Sequence, residues 1–322
     1  MGRKTKAWLI IAISLVLLGC VIFSGVITMF KWDFTKLSTV QYETNAYEIS
    51  ESFDNISINT DTADIIFIPS NDEKCRVVCY EEKNAKHSAV ISDNALTISM
   101  INEKKWYEYI GINFGTPKIT IYLPQSEYAS LFMKASTGDV EMPKDFKFED
   151  INITLSTGDV KNYASASRDI KIKTSTGDIR VENVRAGAMD FSVSTGKVIV
   201  ESVKIDGDIN VSVSTGDARL TDIACKSVIS TGNTGHISLK NVIAKEKFSL
   251  ERSTGDIKFE NSDAETINIK TDTGDVTGTL LSEKIFITET STGNISVPKT
   301  TTGGKCEVVT DTGDIKFEIS KK

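Results

Sequence analysis

Ten Thr-Gly dipeptides in this chain are spaced 19 or 20 residues apart, with glycines at Gly138, Gly158, Gly177, Gly196, Gly216, Gly235, Gly255, Gly274, Gly293 and Gly313. A unit of that length cannot enclose a core by itself. It folds only by stacking, each unit burying its apolar face on its neighbours. The register therefore constrains the architecture before any single side chain is considered.

The residues around each Thr-Gly recur with it. Six positions before the Thr stand Leu131, Ile151, Ile170, Met189, Ile209, Val228, Phe248, Ile267, Phe286 and Cys306, all apolar. Four before it only Ser230 and Thr288 are polar; three after it every residue is apolar, from Val140 to Ile315. Five after it only Asn162 and Gly278 break the pattern. Polar residues fill the places between, as in Ile257-Lys-Phe-Glu, and period-two alternation marks strands with one buried face. The Thr-Gly-Asp segment reads as a tight turn, since glycine takes positive φ without penalty and Asp bonds nearby backbone amides. A propeller blade needs about 40 residues. The fold class expected is therefore all-β: a single-stranded β-solenoid of about ten coils, roughly 50 Å long at 4.8 Å per coil, right-handed by the crossover rule.

Upstream, Ala7–Phe30 is an apolar run long enough to span a bilayer. Arg3, Lys4 and Lys6 precede it and predict a cytoplasmic N-terminus with the rest outside, and Phe30, Trp32 and Phe34 fit an interfacial belt. Leu17-Leu-Gly-Cys20 has the form of a lipobox, but apolar residues continue beyond Cys20, which favours an uncleaved anchor. The expected organisation is a tail at 1–6, the anchor at 7–30, a polar tether at 31–46, an irregular β cap at 47–130 and solenoid repeats at 131–322. Within the cap, Ile56–Phe67 copies a repeat with Ala63 in the glycine's place. Trp106–Phe114 is an aromatic loop read as cap packing. The terminal Lys321 and Lys322 are the visible protection of the last edge.

A net charge of −7 argues against nucleic-acid binding, which requires a basic face. Cys20, Cys75, Cys79, Cys225 and Cys306 show no disulfide spacing; Cys75 and Cys79, four apart in a strand, lie about 13 Å from each other. With only His87 and His236, a structural zinc is not expected. No cofactor is expected.

The anchor, the Ile119-Thr-Ile-Tyr-Leu-Pro124 strand and the Ser-Thr-Gly-Asp-Val/Ile coils resemble a bacterial family of Firmicutes labelled "putative adhesin", which includes a membrane-anchored member of the Lia envelope-stress operon. The resemblance spans roughly residues 45–322. It implies a β-solenoid ectodomain on the cell surface of a Gram-positive bacterium and supplies no catalytic residues.

Three sets of residues are candidates for chemistry. Asp139, Asp159, Asp178, Asp217, Asp256, Asp275 and Asp314 follow the glycines; stacked, they repel by a little under ~1 kcal/mol per pair in water, which calcium could relieve. Each Asp is expected instead to satisfy its own turn. The pairs Thr174/Thr176, Thr271/Thr273, Thr290/Thr292 and Thr310/Thr312 have the Thr-x-Thr form of ice-binding ladders, interrupted by Gly232 and Arg252; threonines also stabilise sheets by themselves. An enzyme on this rod would have to use residues that break the repeat, namely Lys197, His236 and Arg252, which fall in different coils. The expected role is a non-enzymatic surface adhesion or envelope scaffold, anchored in the membrane, with a cell-wall or surface polymer or another envelope protein as partner. A carbohydrate-active enzyme and a self-associating filament former are the alternatives.

Overall fold

The computed structural model of the protein describes residues 2–29, 31–32, 40–106 and 115–320. The helix Arg3–Met29, the one α-helix among the described residues, contains a stretch, Lys4–Met29, long and apolar enough to cross a membrane. At 1.5 Å per residue the helix is about 40 Å long. It contributes nothing to the continuous core, which begins at Ile56, so the chain from residue 40 onward folds around its own core. Phe30 and Phe34 lie outside the described residues, as do most of the aromatic loop (107–114) and the two terminal lysines.

The rest of the described chain is mostly strand and turn, and the expected solenoid is what forms. Parallel strands stack with identical residues of each repeat in register. Ile151 pairs with Ile170, Ile170 with Met189, Met189 with Ile209 and Ile209 with Val228, and the column runs on through Phe248 and Ile267. All are buried. The column three after each Thr stacks likewise, Val140 on Val160 on Ile179 on Val198 on Ala218. Where the alternation breaks, the interior accommodates it. Asn162 is buried but holds both partners of its amide, accepting from the Ala164 N–H (3.1 Å) and donating to the Ala164 carbonyl (3.0 Å). Gly278 leaves the space that Phe259 fills.

The coils do not stack in sequence order at either end. After the coil of Gly274, strand Asp263–Thr273 pairs not with Lys284–Thr292 but with Gly304–Thr312, which in turn carries Lys284–Thr292 on its far side. The last coil of the sequence is thus the second-to-last layer in space. At the other end, strand Asn55–Thr62, of the Ala63 coil, lies between Glu127–Thr137 and the later strand Ala95–Asn102. The degenerate coil is real, as the sequence indicated, but it is not outermost.

The N-terminal layer is covered by antiparallel strands. Ala85–Ser92 pairs with Ala95–Asn102, Cys75–Glu82 with Lys118–Leu123, and Tyr42–Ile49 with Cys75–Glu82. Strand Tyr42–Ile49 begins inside the stretch expected to be a tether. Its polar sequence Tyr-Glu-Thr-Asn-Ala-Tyr-Glu-Ile has β alternation with half-buried residues on one face, a weak signal beside the repeats.

Candidate functional site

The turn column holds the repeat glycines and the aspartates that follow them. All ten repeat glycines have φ between 124° and 157°. A side chain is excluded there for a second reason as well: a Cβ would sit 1.9–2.1 Å from the carbonyl oxygen of the turn in the adjacent coil. Glycine therefore sets both the turn and the coil spacing.

The sequence leads one to expect each Asp to satisfy its own turn; the structure corrects this. Each carboxylate accepts the backbone N–H of the equivalent residue one layer on. The N–H of Asp159 donates to Asp139 (2.9 Å), that of Asp178 to Asp159 (2.8 Å), that of Asp275 to Asp256 (3.0 Å) and that of Asp314 to Asp275 (2.8 Å). The Lys197 N–H donates to Asp178 (2.7 Å), but a lysine returns no acceptor and the ladder is interrupted there. At His236 the ladder resumes in another form: its N–H donates to Asp217 (3.1 Å) and its Nδ1 accepts from the Asp256 N–H (3.0 Å). Among the described residues the Asp column does not bring three carboxylates together as a metal site would.

The Thr-x-Thr pairs are not a surface ladder. Their first members face inward: Thr174, Thr271 and Thr310 are buried. Each donates its Oγ1 proton to a glycine carbonyl of the neighbouring coil, Thr174 to Gly158 (3.3 Å), Thr271 to Gly255 (3.4 Å) and Thr310 to Gly274 (3.2 Å). Arg252 belongs to the same inward column. It is 1% exposed and extends across Gly232 to donate to the Val213 carbonyl (3.1 Å), and Gly232 lacks the side chain that would collide with it. Its Nε and Nη2 have no partner, and burial pushes its pKa down. Of the three repeat-breaking residues, Arg252 is thus inside the rod while Lys197 and His236 are exposed at the turn. The structure does not bring them together.

One buried polar cluster was missed, because its members are scattered in sequence and share no motif. Glu81 accepts the His87 N–H (2.6 Å), His87 Nδ1 (2.7 Å) and the Asn45 amide (2.7 Å), while His87 Nε2 meets Thr60 Oγ1 (2.7 Å). Tyr47 donates to the His87 carbonyl. Cys79 lies alongside, and the three potential ligand atoms of Cys79, Glu81 and His87 fall within 4.8 Å of one another. Both imidazole nitrogens and both Glu81 oxygens are already engaged, and burial pushes the Cys79 thiol up to about 12. The cluster therefore ties the capping strands to the Ala63 coil.

A groove runs along one side of the rod. The inward column beneath it steps from Tyr128 and Phe148 to Ala166 and Ala186, then back to Ile205. The drop from aromatic to alanine draws the wall inward, and the strands there shrink to Ser165–Ala166 and Arg185–Ala186. The resulting cleft of ≈ 680 Å³ is lined by Asp54, Glu127, Lys147, Glu149, Ser165 and Arg185 among others. It continues past Arg185 as two smaller hollows around Lys204, lined also by Asp206 and Asp222. Lys147, Arg185 and Lys204 are all exposed. They lie one or two coils apart along it, which is about 5 and 10 Å. Lys147 has only a long, exposed contact with Glu127 (3.6 Å), of a kind worth little in water. Sequence could not have found this groove, since it depends on which column each cation occupies and on the alanines beneath.

A parallel β-solenoid with a glycine-lined corner, a carboxylate-to-amide ladder along that corner and antiparallel strands over one end defines the class of this protein. The Toastrack DUF4097 family matches residues 53–212 and again 204–322, and the chain belongs to that family. Among solved structures, a "putative lipid binding protein" from Parabacteroides distasonis is 14% identical, covering 87% of this chain and 98% of its own, with a TM-score of 0.50. A "putative adhesin" from the same organism is 10% identical, covering 86% and 98%, also with a TM-score of 0.50. A "putative adhesin" from Bacteroides fragilis is 16% identical, covering 86% and 97%, with a TM-score of 0.39. At such identities the likeness is one of fold. No curated protein matches the chain.

Proposed function

We propose that this protein is a membrane-anchored, extracytoplasmic rod that acts as a non-enzymatic adhesion or envelope scaffold, with its N-terminus in the cytoplasm and its solenoid outside. The carrying observation is the groove: an exposed, lengthwise channel lined both by cations (Lys147, Arg185, Lys204) and by carboxylates (Asp54, Glu127, Glu149, Asp206, Asp222) suits an extended polar polymer of the envelope. The anchor reading is supported by a helix that continues nine residues past Cys20 to Met29, where a lipidated chain would have turned polar. The non-enzymatic reading is supported by the separation of Lys197, His236 and the internal Arg252.

The test is retention of residues 40–322 on washed envelope fractions, with and without calcium. Arg185→Glu with Lys204→Glu is expected to abolish retention while leaving the circular dichroism unchanged. Absence of retention for the unaltered rod would sink the adhesion reading. A polysaccharide-cleaving activity that disappeared on replacing Lys197 and His236 would overturn the non-enzymatic one.

A further inference from the structure

We propose that the C-terminal tip of the rod is an interface with a second copy of this chain, the coil of Lys284–Ser296 meeting its own equivalent across a two-fold axis. Because the last two coils are exchanged, this coil is the outermost layer, and its strands Lys284–Thr292 and Ile295–Ser296 pair only on the inner side. The outer edge is a nine-residue row of backbone donors and acceptors of the kind that recruits another strand.

The side chains on this layer suit burial. Ile285, Ile287 and Ile295 are 43%, 50% and 46% exposed, with Leu281 at 37%. Ile285 points outward at a place taken in the other regular coils by Ser130, Asp150, Asp169, Ala188, Asp208, Ser227, Lys247, Thr266 and Lys305. The Ile287 position holds Asn152, Lys171, Asp190, Asn210, Ser249, Asn268 or Glu307, with Phe132 and Ile229 as the apolar exceptions. Of the usual guards of an edge this strand carries one, Glu289. It has no proline, and its one lysine, Lys284, is turned inward, 3% exposed and paired with Asp263 at 2.6 Å. Residues 281–303 carry Glu283, Glu289, Lys284 and Lys299, two negative and two positive charges, so the tip is neutral in a chain of net charge −7. Two tips can approach without the net repulsion that would oppose contact between the flanks.

The opposite end selects between a dimer and a filament. Head-to-tail growth needs an open coil edge at the N-terminal end. That layer is covered there by antiparallel strands, and the outermost of them, Tyr42–Ile49, carries Glu43 and Glu48. The strands at that end belong to the cap and do not repeat the coil edge, which favours tip-to-tip contact over head-to-tail growth. A two-fold axis turns the facing edge strands antiparallel, an arrangement that permits a regular ladder.

The experiment is sedimentation velocity on residues 40–322 at micromolar concentration, with small-angle scattering for shape. The expected result is twice the single-chain mass, a maximum dimension close to double that of the single rod, and a single-chain mass for Ile287→Lys. Asn210→Lys, at the same outward position in mid-rod, should leave the doubled mass intact. Circular dichroism checks that Ile287→Lys retains its fold, which is expected because Ile287 is already half in water. A single-chain mass for the unaltered rod, a mass that keeps climbing with concentration, or a doubled mass that survives Ile287→Lys would each overturn the proposal. Envelope retention by a single rod would leave the adhesion reading intact while this one failed.

Discussion

At the scale of single residues, the recurrent ones are occupied with the stack. The repeat glycines could be read from sequence as turn formers, because positive φ is a local property. That each also makes room for the next coil's carbonyl could not, because the contact belongs to two layers. Gly216→Ala should therefore cost more than a simple turn substitution: about 1–3 kcal/mol for the strained φ and a similar amount for overpacking. A fall of several kcal/mol in the urea-unfolding free energy is expected, and a change under about 1 kcal/mol would contradict the close approach. Arg252 calls for the opposite outcome. A buried guanidinium with two unpartnered nitrogens is often replaced without loss by an apolar residue of similar volume, so Arg252→Met should leave the melting temperature unchanged or raise it. A marked loss would mean that the guanidinium has a stabilising partner inside the rod.

At the scale of the coil, alternation in the sequence identified strands correctly wherever it was strict, and it located the Ala63 coil despite the missing glycine. It carried no information on the order of layers. Register is set by matching columns, and Cys306 and Phe286 match Ile267 equally well as apolar residues; the exchange is decided by the connections around Leu281–Glu283 and Pro298–Gly303, which have no repeat of their own. The exchanged order has a direct check. Val309 lies beside Lys270, whereas Glu289 lies beyond Val309, two layers or about 10 Å from Lys270. Oxidation should cross-link Lys270→Cys with Val309→Cys and fail with Glu289→Cys, since Cα atoms more than about 7 Å apart cannot be bridged. The reverse result would restore the sequential order.

Taken whole, the molecule is one uninterrupted core from the cap to the tip, and four thiols are sealed within it. Burial pushes Cys75, Cys79, Cys225 and Cys306 up to about 12. Below the ordinary thiol range near 8.5 both folded and unfolded chains hold these protons, and the contribution to stability is complete. As pH rises toward 12 only the unfolded chain ionises, so stability should decline through that window. Urea midpoints measured across it should fall less steeply for Cys225→Val than for the unaltered rod, and equal slopes would mean that the thiol is not sealed. The sequence announced the rod at this scale and hid the groove, which arises from side-chain volumes on a column whose residues do not recur. The exchanged coils also determine how the rod would carry a load. Tension applied at residue 320 does not act on an edge strand that could be peeled away one bond at a time. Beyond Phe317–Ile319, which pair on one side, it acts on Ile315–Lys316 and Gly304–Thr312, which are laddered on both sides, so two rows of hydrogen bonds have to shear together there.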